Sequence, residues 1–197
     1  MESQEQLIWL ADKHGGILSA AEAVAAGVSR PALSAFVRNH DMRCVSRGIY
    51  CVPDAWQDDL FILQQRCPKT IFSHETALFF HDLTDREPEK VTVTAKTGYN
   101  PTHLSKNGIK VFTIKNDLFE LGKVEVKTPF NNSVNSYDID RTICDIIRSR
   151  NQIDCQVYQD ALKQYARRAD KNLHHLSRYA RALHVERKVM TYLEVLL

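Results

Sequence analysis

Long apolar runs are missing from this 197-residue sequence, although 44% of its residues are hydrophobic. No stretch approaches the roughly 20 consecutive apolar residues that a membrane-spanning helix needs. The first residues, MESQEQLIWL, are too acidic for a secretory signal. These features predict a globular, cytoplasmic protein without a membrane partner, and its length suits one domain or two small ones.

Catalytic and metal-binding signatures are missing as well. The five cysteines include no C-x-x-C pair and have no metal-finger spacing with the eight histidines. Gly-rich phosphate loops, G-x-S-x-G and H-E-x-x-H do not occur. We therefore expect no enzyme activity, no catalytic residues, no bound metal and no cofactor. The cysteines should be reduced, with a disulfide between Cys44 and Cys51 as the alternative.

The net charge is only +2, but the charges are unevenly distributed. Residues 27–52 hold four arginines against one aspartate, and residues 163–188 hold eight lysines and arginines against two acidic residues. Local charge is what an approaching phosphate feels, because screening confines attraction to about 10 Å at ordinary salt. Two basic regions on a nearly neutral chain favour one polyanionic partner that contacts the protein twice.

The beginning of the chain has the sequence signals of a helix-turn-helix. After a first helix, Ser19 and Glu22 have the spacing of a capping box at the start of a short helix. Gly27 ends that helix, since glycine readily takes the left-handed conformation at a helix C-terminus. Ser29 can cap the next helix. Two helices joined by about three residues around a glycine form a helix-turn-helix.

The second of these helices is amphipathic and is followed by a candidate hairpin. Its apolar stripe is Leu33, Phe36 and Val37. The sequence MRCVSRGIYCV comes next, and its glycine suits a hairpin turn, so the whole predicts a winged helix. The second helix of such a domain enters the major groove of double-stranded DNA. The predicted DNA contacts are Ser29, Arg30, Ser34, Arg38, Arg43 and Arg47. A solvated helix face and a protein-binding winged helix are the alternatives.

The sequence pattern changes from helical to strand-like after DLTDREPEK. This segment is the best linker candidate because it is charged and contains proline. KVTVTA, GIKVFTI and GKVEVKT are short period-two strands, SVNSYD is a further candidate, and the last third is helical. The sequence therefore predicts an α+β protein. Residues 1–84 form an N-terminal winged helix-turn-helix with a helical extension, its core at 4–52. Residues 85–197 form a C-terminal domain with a small sheet and helices.

One catalytic alternative lies in the predicted strand KVEVK. Glu125 and Lys127 are the E-x-K half of a metal-dependent nuclease site, in which carboxylates hold magnesium and lysine positions the attacking water. The other half is an aspartate on a preceding strand, and the nearest is Asp117, in a predicted turn. Alternating charge on an exposed strand explains Glu125 and Lys127 at least as well.

The segment Asp140-Arg141-Thr142-x-x-Asp145 could be mistaken for a metal site. We interpret it as structural, because Asp138 can cap a helix there. Arg141 and Asp145 are i, i+4 neighbours that can pair.

Four segments carry a family resemblance in their order along the chain: GGILSAAEAVAAGVSRPALSAFVRNHDMRCVSRGIYCV, SHETALFFHDL, VTVTA and YDIDRTICDII. They resemble the AbiEi family, the antitoxins of type IV toxin-antitoxin systems, over nearly the whole chain. The resemblance implies an abortive-infection, phage-defence protein whose winged helix represses its own operon by binding inverted repeats in the promoter. It also implies a C-terminal domain that opposes a nucleotidyltransferase toxin without a stable complex. The chain departs from the expected pattern at Cys44, where we expect a basic residue, with Arg43 one position earlier.

The second basic region lies opposite the leucine stripes of the C-terminal helices. It consists of Lys163, Arg167, Arg168, Lys171, Arg178 and Arg181. Most such faces are merely solvated. Their one-sided charge is the argument for a role with nucleic acid or a toxin.

Overall fold

The computed structural model describes residues 3–196, with side chains through Tyr192. The chain is mixed α+β, as predicted, and forms two compact units. Unit 1 comprises the chain up to Pro68 together with Lys127–Val134, which we call the return segment. Unit 2 comprises Lys69–Val126 and the chain from Asn135 onward. No helix among the described residues is long and apolar enough to cross a membrane.

Unit 1 consists of four helices and a three-stranded antiparallel sheet in the order β1-β3-β2. Its elements are α1 (Ser3–Lys13), β1 (Ile17–Ser19), α2 (Ala20–Ala25), α3 (Arg30–Asn39), β2 (Arg43–Ser46), β3 (Ile49–Cys51) and α4 (Asp59–Arg66). Leu7 and Leu10 of α1 pack with Leu18 of β1 and with Leu33 and Phe36 of α3. Burial of this cluster orients α3, because the apolar stripe of an amphipathic helix must face the core.

The capping box predicted at Ser19 and Glu22 is wrong, although α2 does begin there. Ser19 is the last residue of β1, and its side chain makes no capping hydrogen bond. Glu22 instead lies 3.4 Å from His14 Nε2, and its other oxygen accepts from Gln65 at 3.3 Å. The His14 imidazole beside the carboxylate holds the pKa of Glu22 below its ordinary value. Glu22 therefore contacts side chains outside α2 and does not form the capping box that the local spacing predicts.

The return segment is joined to the rest of unit 1 by buried hydrogen bonds. Asp58 Oδ2 accepts from Thr128 Oγ1 at 2.6 Å and from Asn132 Nδ2 at 2.8 Å. Its other oxygen accepts from the backbone N–H of Phe61 at 3.0 Å, which caps α4. Asn132 Oδ1 lies 3.2 Å from His14 Nδ1. A buried carboxylate with three donors is well satisfied, so this cluster fixes the return segment.

Unit 2 is built on a five-stranded sheet in the order β6-β5-β4-β8-β7. Its strands are β4 (Thr70–Phe72), β5 (Thr92–Lys96), β6 (Lys110–Ile114), β7 (Lys123–Lys127) and β8 (Ser133–Tyr137). Its helices are α5 (His74–Phe80), α6 (Thr102–Lys106), α7 (Ile139–Arg148), α8 (Cys155–Arg167), α9 (Leu173–Ala182) and α10 (Glu186–Leu196), with 3₁₀ turns at Asn116–Leu118 and Arg150–Gln152. The central strand, β4, pairs antiparallel with β5 and parallel with β8.

The predicted domain boundary at 84/85 differs from the division that the structure shows. The first strand of the unit 2 sheet along the chain is β4, which begins well before residue 84. Leu83 and Thr84, within the proposed linker, are buried. The charged, proline-containing stretch is therefore part of unit 2 and does not connect the two units.

Helix α7 is the centre of unit 2. Asp138 caps it by accepting from Arg141 N at 2.7 Å, and Arg141 pairs with Asp145 at 3.0 Å, both as predicted. Every residue from Asp140 to Ile147 is buried. The Asp140-to-Asp145 segment is thus a structural network inside the protein.

His74, at the start of α5, makes the stability of unit 2 sensitive to pH. The ring is fully buried, stacked on Phe112 at 3.5 Å, with Ser73 Oγ at 2.9 Å and Ser149 Oγ at 3.1 Å from its nitrogens. Burial, together with the positive charges of Arg148, Lys110 and Arg141, lowers the pKa of His74 well below its ordinary value.

We expect unit 2 to lose stability as the pH falls. A depressed pKa in the folded state means that the unfolded chain takes up the proton first, so stability is full above about pH 6.5 and falls below it. The slope should approach about 1.4 kcal/mol per pH unit. Urea unfolding from about pH 7.5 to about pH 5 would measure it.

His74→Asn is the matched control, because asparagine tolerates the positive φ of 50° at this position. The variant should have a flatter pH dependence. A residual slope is expected from His81, whose pKa is also lowered by burial. An unchanged slope in the variant would contradict the assignment to His74.

Candidate nucleic-acid interface

Helix α3 begins where the sequence predicts. Ser29 has an extended backbone, and its hydroxyl accepts from Ala32 N at 3.3 Å, so it caps the first turn. Pro31 lies in that turn, where its missing N–H costs nothing. Gly27, at a φ of 87°, supplies the left-handed residue that ends α2. The hydroxyl of Ser29 is therefore part of the helix cap.

The outer face of α3 presents Arg30, Ser34 and Arg38, and we call these three residues the α3 face. All three are exposed, whereas Leu33 and Phe36 on the opposite side are buried. Within the described part of the chain, the α3 face makes no side-chain hydrogen bond or ion pair to the protein. The Cα atoms of Arg30 and Arg38 are about 12 Å apart along the helix axis, because eight residues rise by 1.5 Å each. The donors of both guanidinium groups are available to an external acceptor.

A hairpin follows α3, and its register is irregular. Arg43 is opposite Cys51 and Cys44 is opposite Tyr50, but Ser46 is opposite Ile49, so Val45 is an extra residue in β2. Gly48 takes a φ of 73° in the turn. The predicted hairpin is present, and the bulge explains why its alternation is imperfect.

The two hairpin arginines have different environments. Arg43 donates from its guanidinium to the carbonyl of Pro53 at 3.1 Å. Arg47, at the turn, is exposed, and its side chain makes no hydrogen bond or ion pair with other described residues. Arg47 therefore resembles the α3 face in having its donors available, while Arg43 is partly committed to the protein.

All five cysteines lie within the described residues, and none of them is paired in a disulfide there. Cys44 and Cys51 are one register position out of line, because Arg43 is the residue opposite Cys51. Cys44 is exposed and Cys51 is buried.

Most of the predicted second basic region is committed to protein partners. Arg168 pairs with Asp170 at 2.7 Å and donates to the carbonyl of His81 at 2.8 Å. Lys171 donates to carbonyls at the end of α8. Arg178 lies over the ring of Tyr179, and Arg181 pairs with Glu186 at 2.8 Å. These four cations support local structure.

Lys163 and Arg167, the remaining two, lie in a cleft of about 740 Å³ in unit 2. We call it the α8 cleft, and its lining is Thr84, Asp85, Arg86, Asp160, Lys163, Gln164, Arg167 and Arg168. Arg86 is a residue that the sequence reasoning missed, because the charged stretch around it looked like a linker. Of the predicted second basic region, only Lys163 and Arg167 remain available to a ligand, and Arg86 joins them in the cleft.

The residues of the nuclease alternative lie in and near β7, an edge strand of the sheet. Glu125 is exposed, Lys127 donates to Ser133 Oγ at 2.8 Å, and Asp117 lies in a 3₁₀ turn. In the described part of the chain, no three His, Cys, Asp or Glu side chains are grouped so that they could hold a metal ion.

Comparison with known proteins shows a likeness of fold. No family model and no curated protein sequence matches the chain. Among solved structures, the chain is similar to the Rv2827c protein from Mycobacterium tuberculosis, with a TM-score of 0.58 and 13% sequence identity. The match covers 92% of this chain and 72% of that one. At this identity the likeness shows the fold alone.

Proposed function

We propose that unit 1 is a winged helix that binds double-stranded promoter DNA, with α3 as the recognition helix. The order of three helices, a three-stranded antiparallel sheet and a hairpin after the helix-turn-helix supports this. The observation that carries the proposal is the α3 face, where Arg30, Ser34 and Arg38 are exposed without protein partners. Arginine suits paired guanine acceptors or phosphates, and serine suits a base or the backbone.

The family resemblance extends the proposal to a biological role. We infer an AbiEi-like antitoxin that represses its own operon and counteracts a nucleotidyltransferase toxin without holding it in a stable complex. In this role unit 1 supplies promoter recognition and unit 2 supplies the antitoxin activity. If so, a variant of the α3 face should lose repression yet still rescue growth when the toxin is expressed beside it.

Substitutions on the α3 face test the DNA proposal directly. Arg30→Ala and Arg38→Ala should each weaken binding to the upstream DNA about 10-fold, and the double variant about 100-fold, because a guanidinium contact contributes about 1–3 kcal/mol. Fluorescence anisotropy with a labelled duplex would measure this. Each lost phosphate contact should also lower the slope of log K against log salt by about 0.9.

Arg66→Ala is the matched control, since Arg66 is an exposed arginine of α4 in the same unit. It should change affinity less than about 2-fold if general charge is unimportant. Wild-type affinity in the double variant would refute α3 as the recognition helix. Absence of DNA binding together with a stable complex with the toxin would instead support a protein-binding winged helix.

A further inference from the structure

The α8 cleft has two walls that the fold holds in place. One wall is a single face of α8, on which Asp160, Lys163, Gln164 and Arg167 follow at helical spacing. The opposite face of α8 is buried in the core of unit 2. The other wall is the segment 84–86, where Arg86 N donates to Thr84 Oγ1 at 3.2 Å and folds the chain back.

Arg168 also lines the cleft and links the end of α8 to the end of α5. It follows the last residue of α8 and donates to the carbonyl of His81, the residue that ends α5. It also binds both oxygens of Asp170, at 2.7 and 2.8 Å. This bidentate pair neutralises Arg168, which is therefore a structural part of the cleft.

Three cations of the cleft have no such bidentate partner. Within the described residues, the side chains of Arg86, Lys163 and Arg167 make no hydrogen bond or ion pair with the protein. These three cations outnumber the two carboxylates of the lining, Asp85 and Asp160, so the cleft keeps a net positive charge that attracts a phosphate. Charge-assisted hydrogen bonds to phosphate oxygens are stronger than neutral ones. The cleft is therefore suited to a phosphate group.

The remaining lining limits what the phosphate can be attached to. Asp85 and Asp160 are acceptors, so they favour a ligand that also carries hydroxyl donors. Asp160 is held in place by Gln156 Nε2 at 2.9 Å. Among the residues that the structure describes, no aromatic side chain lines the cleft to stack a base. Its volume falls within the range of small-molecule sites.

We propose that the α8 cleft binds a small, hydroxyl-bearing phosphate ester of the sugar phosphate class. Arg86, Lys163 and Arg167 bind the phosphate, and Asp85 and Asp160 accept hydrogen bonds from the hydroxyl groups. This site lies within unit 2 and is independent of the α3 face.

Calorimetric titration of the full chain with ribose 5-phosphate, and separately with inorganic phosphate, tests this proposal. Lys163→Gln and Arg167→Gln should each weaken both probes about 10-fold, the effect of losing one charged hydrogen bond. Arg181→Gln removes the same charge outside the cleft and should change either affinity less than about 2-fold. Asp160→Asn should weaken ribose 5-phosphate but strengthen inorganic phosphate, which has no hydroxyl to bind and is repelled by the carboxylate.

Three results would overturn the proposal. The first is equal weakening by Arg167→Gln and Arg181→Gln, which would show a general charge effect. The second is absence of saturable binding of either probe to the wild-type chain. The third is a single-stranded RNA of about 20 nucleotides that loses affinity in Arg167→Gln while ribose 5-phosphate binding is unaffected, which would assign the cations to a nucleic acid. Lys163, Arg167 and Arg181 are exposed, so unchanged urea unfolding should accompany their substitutions. Asp160 is half-buried, and its substitution should lower the unfolding free energy by less than about 1 kcal/mol.

Discussion

Replacing Arg141 with alanine should lower the unfolding free energy of unit 2 by about 3–5 kcal/mol. The guanidinium is fully buried, donates to Asp145 at 3.0 Å and to the carbonyls of Leu118 and Leu121, and stacks on Tyr137 at 4.2 Å. Its removal leaves the carboxylate of Asp145 buried without that partner. An uncompensated buried charge is among the most destabilising changes in a protein core.

Two comparison variants isolate the buried pair in urea unfolding. Arg148→Ala removes a guanidinium that is 29% exposed and lies 3.9 Å from the same carboxylate, so it should cost less than about 1 kcal/mol. The double change Arg141→Met with Asp145→Leu should recover most of the loss, since no unpaired charge remains. Equal losses in Arg141→Ala and Arg148→Ala would contradict this account.

The loss of unfolding free energy in Arg141→Ala should also depend on pH, and its direction follows from the pKa of Asp145. Burial raises the pKa of Asp145, and the Arg141 guanidinium opposes that effect. Without the guanidinium the folded-state pKa rises further above the unfolded value, near about 4. A raised carboxyl pKa favours the protonated folded state, so the deficit should shrink as the pH falls toward that value and grow as it rises.

Replacing Asp58 with alanine should cost unit 1 about 3 kcal/mol, the second-largest effect. The buried carboxylate caps α4 through Phe61 N and binds Thr128 and Asn132 of the return segment. Loss of a cap costs about 1 kcal/mol, and loss of hydrogen bonds to a buried charge adds about 1.5–3 kcal/mol. Hydrogen exchange of the amides of α4 and the return segment would measure the loss within unit 1.

Asp154→Ala is the matched control for Asp58→Ala. Asp154 caps α8 by accepting from the N–H groups of Gln156 and Val157, but it is exposed. Its loss should be clearly smaller, because water replaces an exposed acceptor. Asp58→Asn should be intermediate, since an amide oxygen keeps one acceptor. If Asp58→Ala leaves exchange in the return segment unchanged, the cluster does not hold that segment.

Helices α2 and α3 and the hairpin could be predicted because their signals are local. Ser29 lies next to the turn that it caps, and Gly48 lies within the turn that it permits. Leu33 and Phe36 recur at helical spacing and are buried as that spacing indicates. Each feature depends on residues only a few positions away.

The central strand of unit 2 could not be predicted, because its evidence is distant. Thr70–Phe72 has three residues, too few to show alternation, and it is a strand because β5 and β8 pair with it. The same holds for the boundary near 84/85. Burial of Leu83 depends on packing partners far along the chain, while the charges around it indicate a linker.

Sequence reasoning located the cations of the candidate sites but not their partners. Arg168 and Arg167 are adjacent in the sequence, yet one is paired with Asp170 and with the carbonyl of His81, and the other is unpaired. Charge counts weigh the two equally. The contact of Arg168 with His81 spans 87 residues, and only the folded chain shows it.

Unit 1 is made of two stretches of chain with much of unit 2 encoded between them. A gene fragment that ends at Pro68 would encode α3 and the hairpin but would omit Thr128 and Asn132, the partners of Asp58 and His14. No single truncation or recombination point can therefore transfer unit 1 intact to another protein. The two units should be inherited together, and a fragment of the first alone is a poor substitute for the full chain.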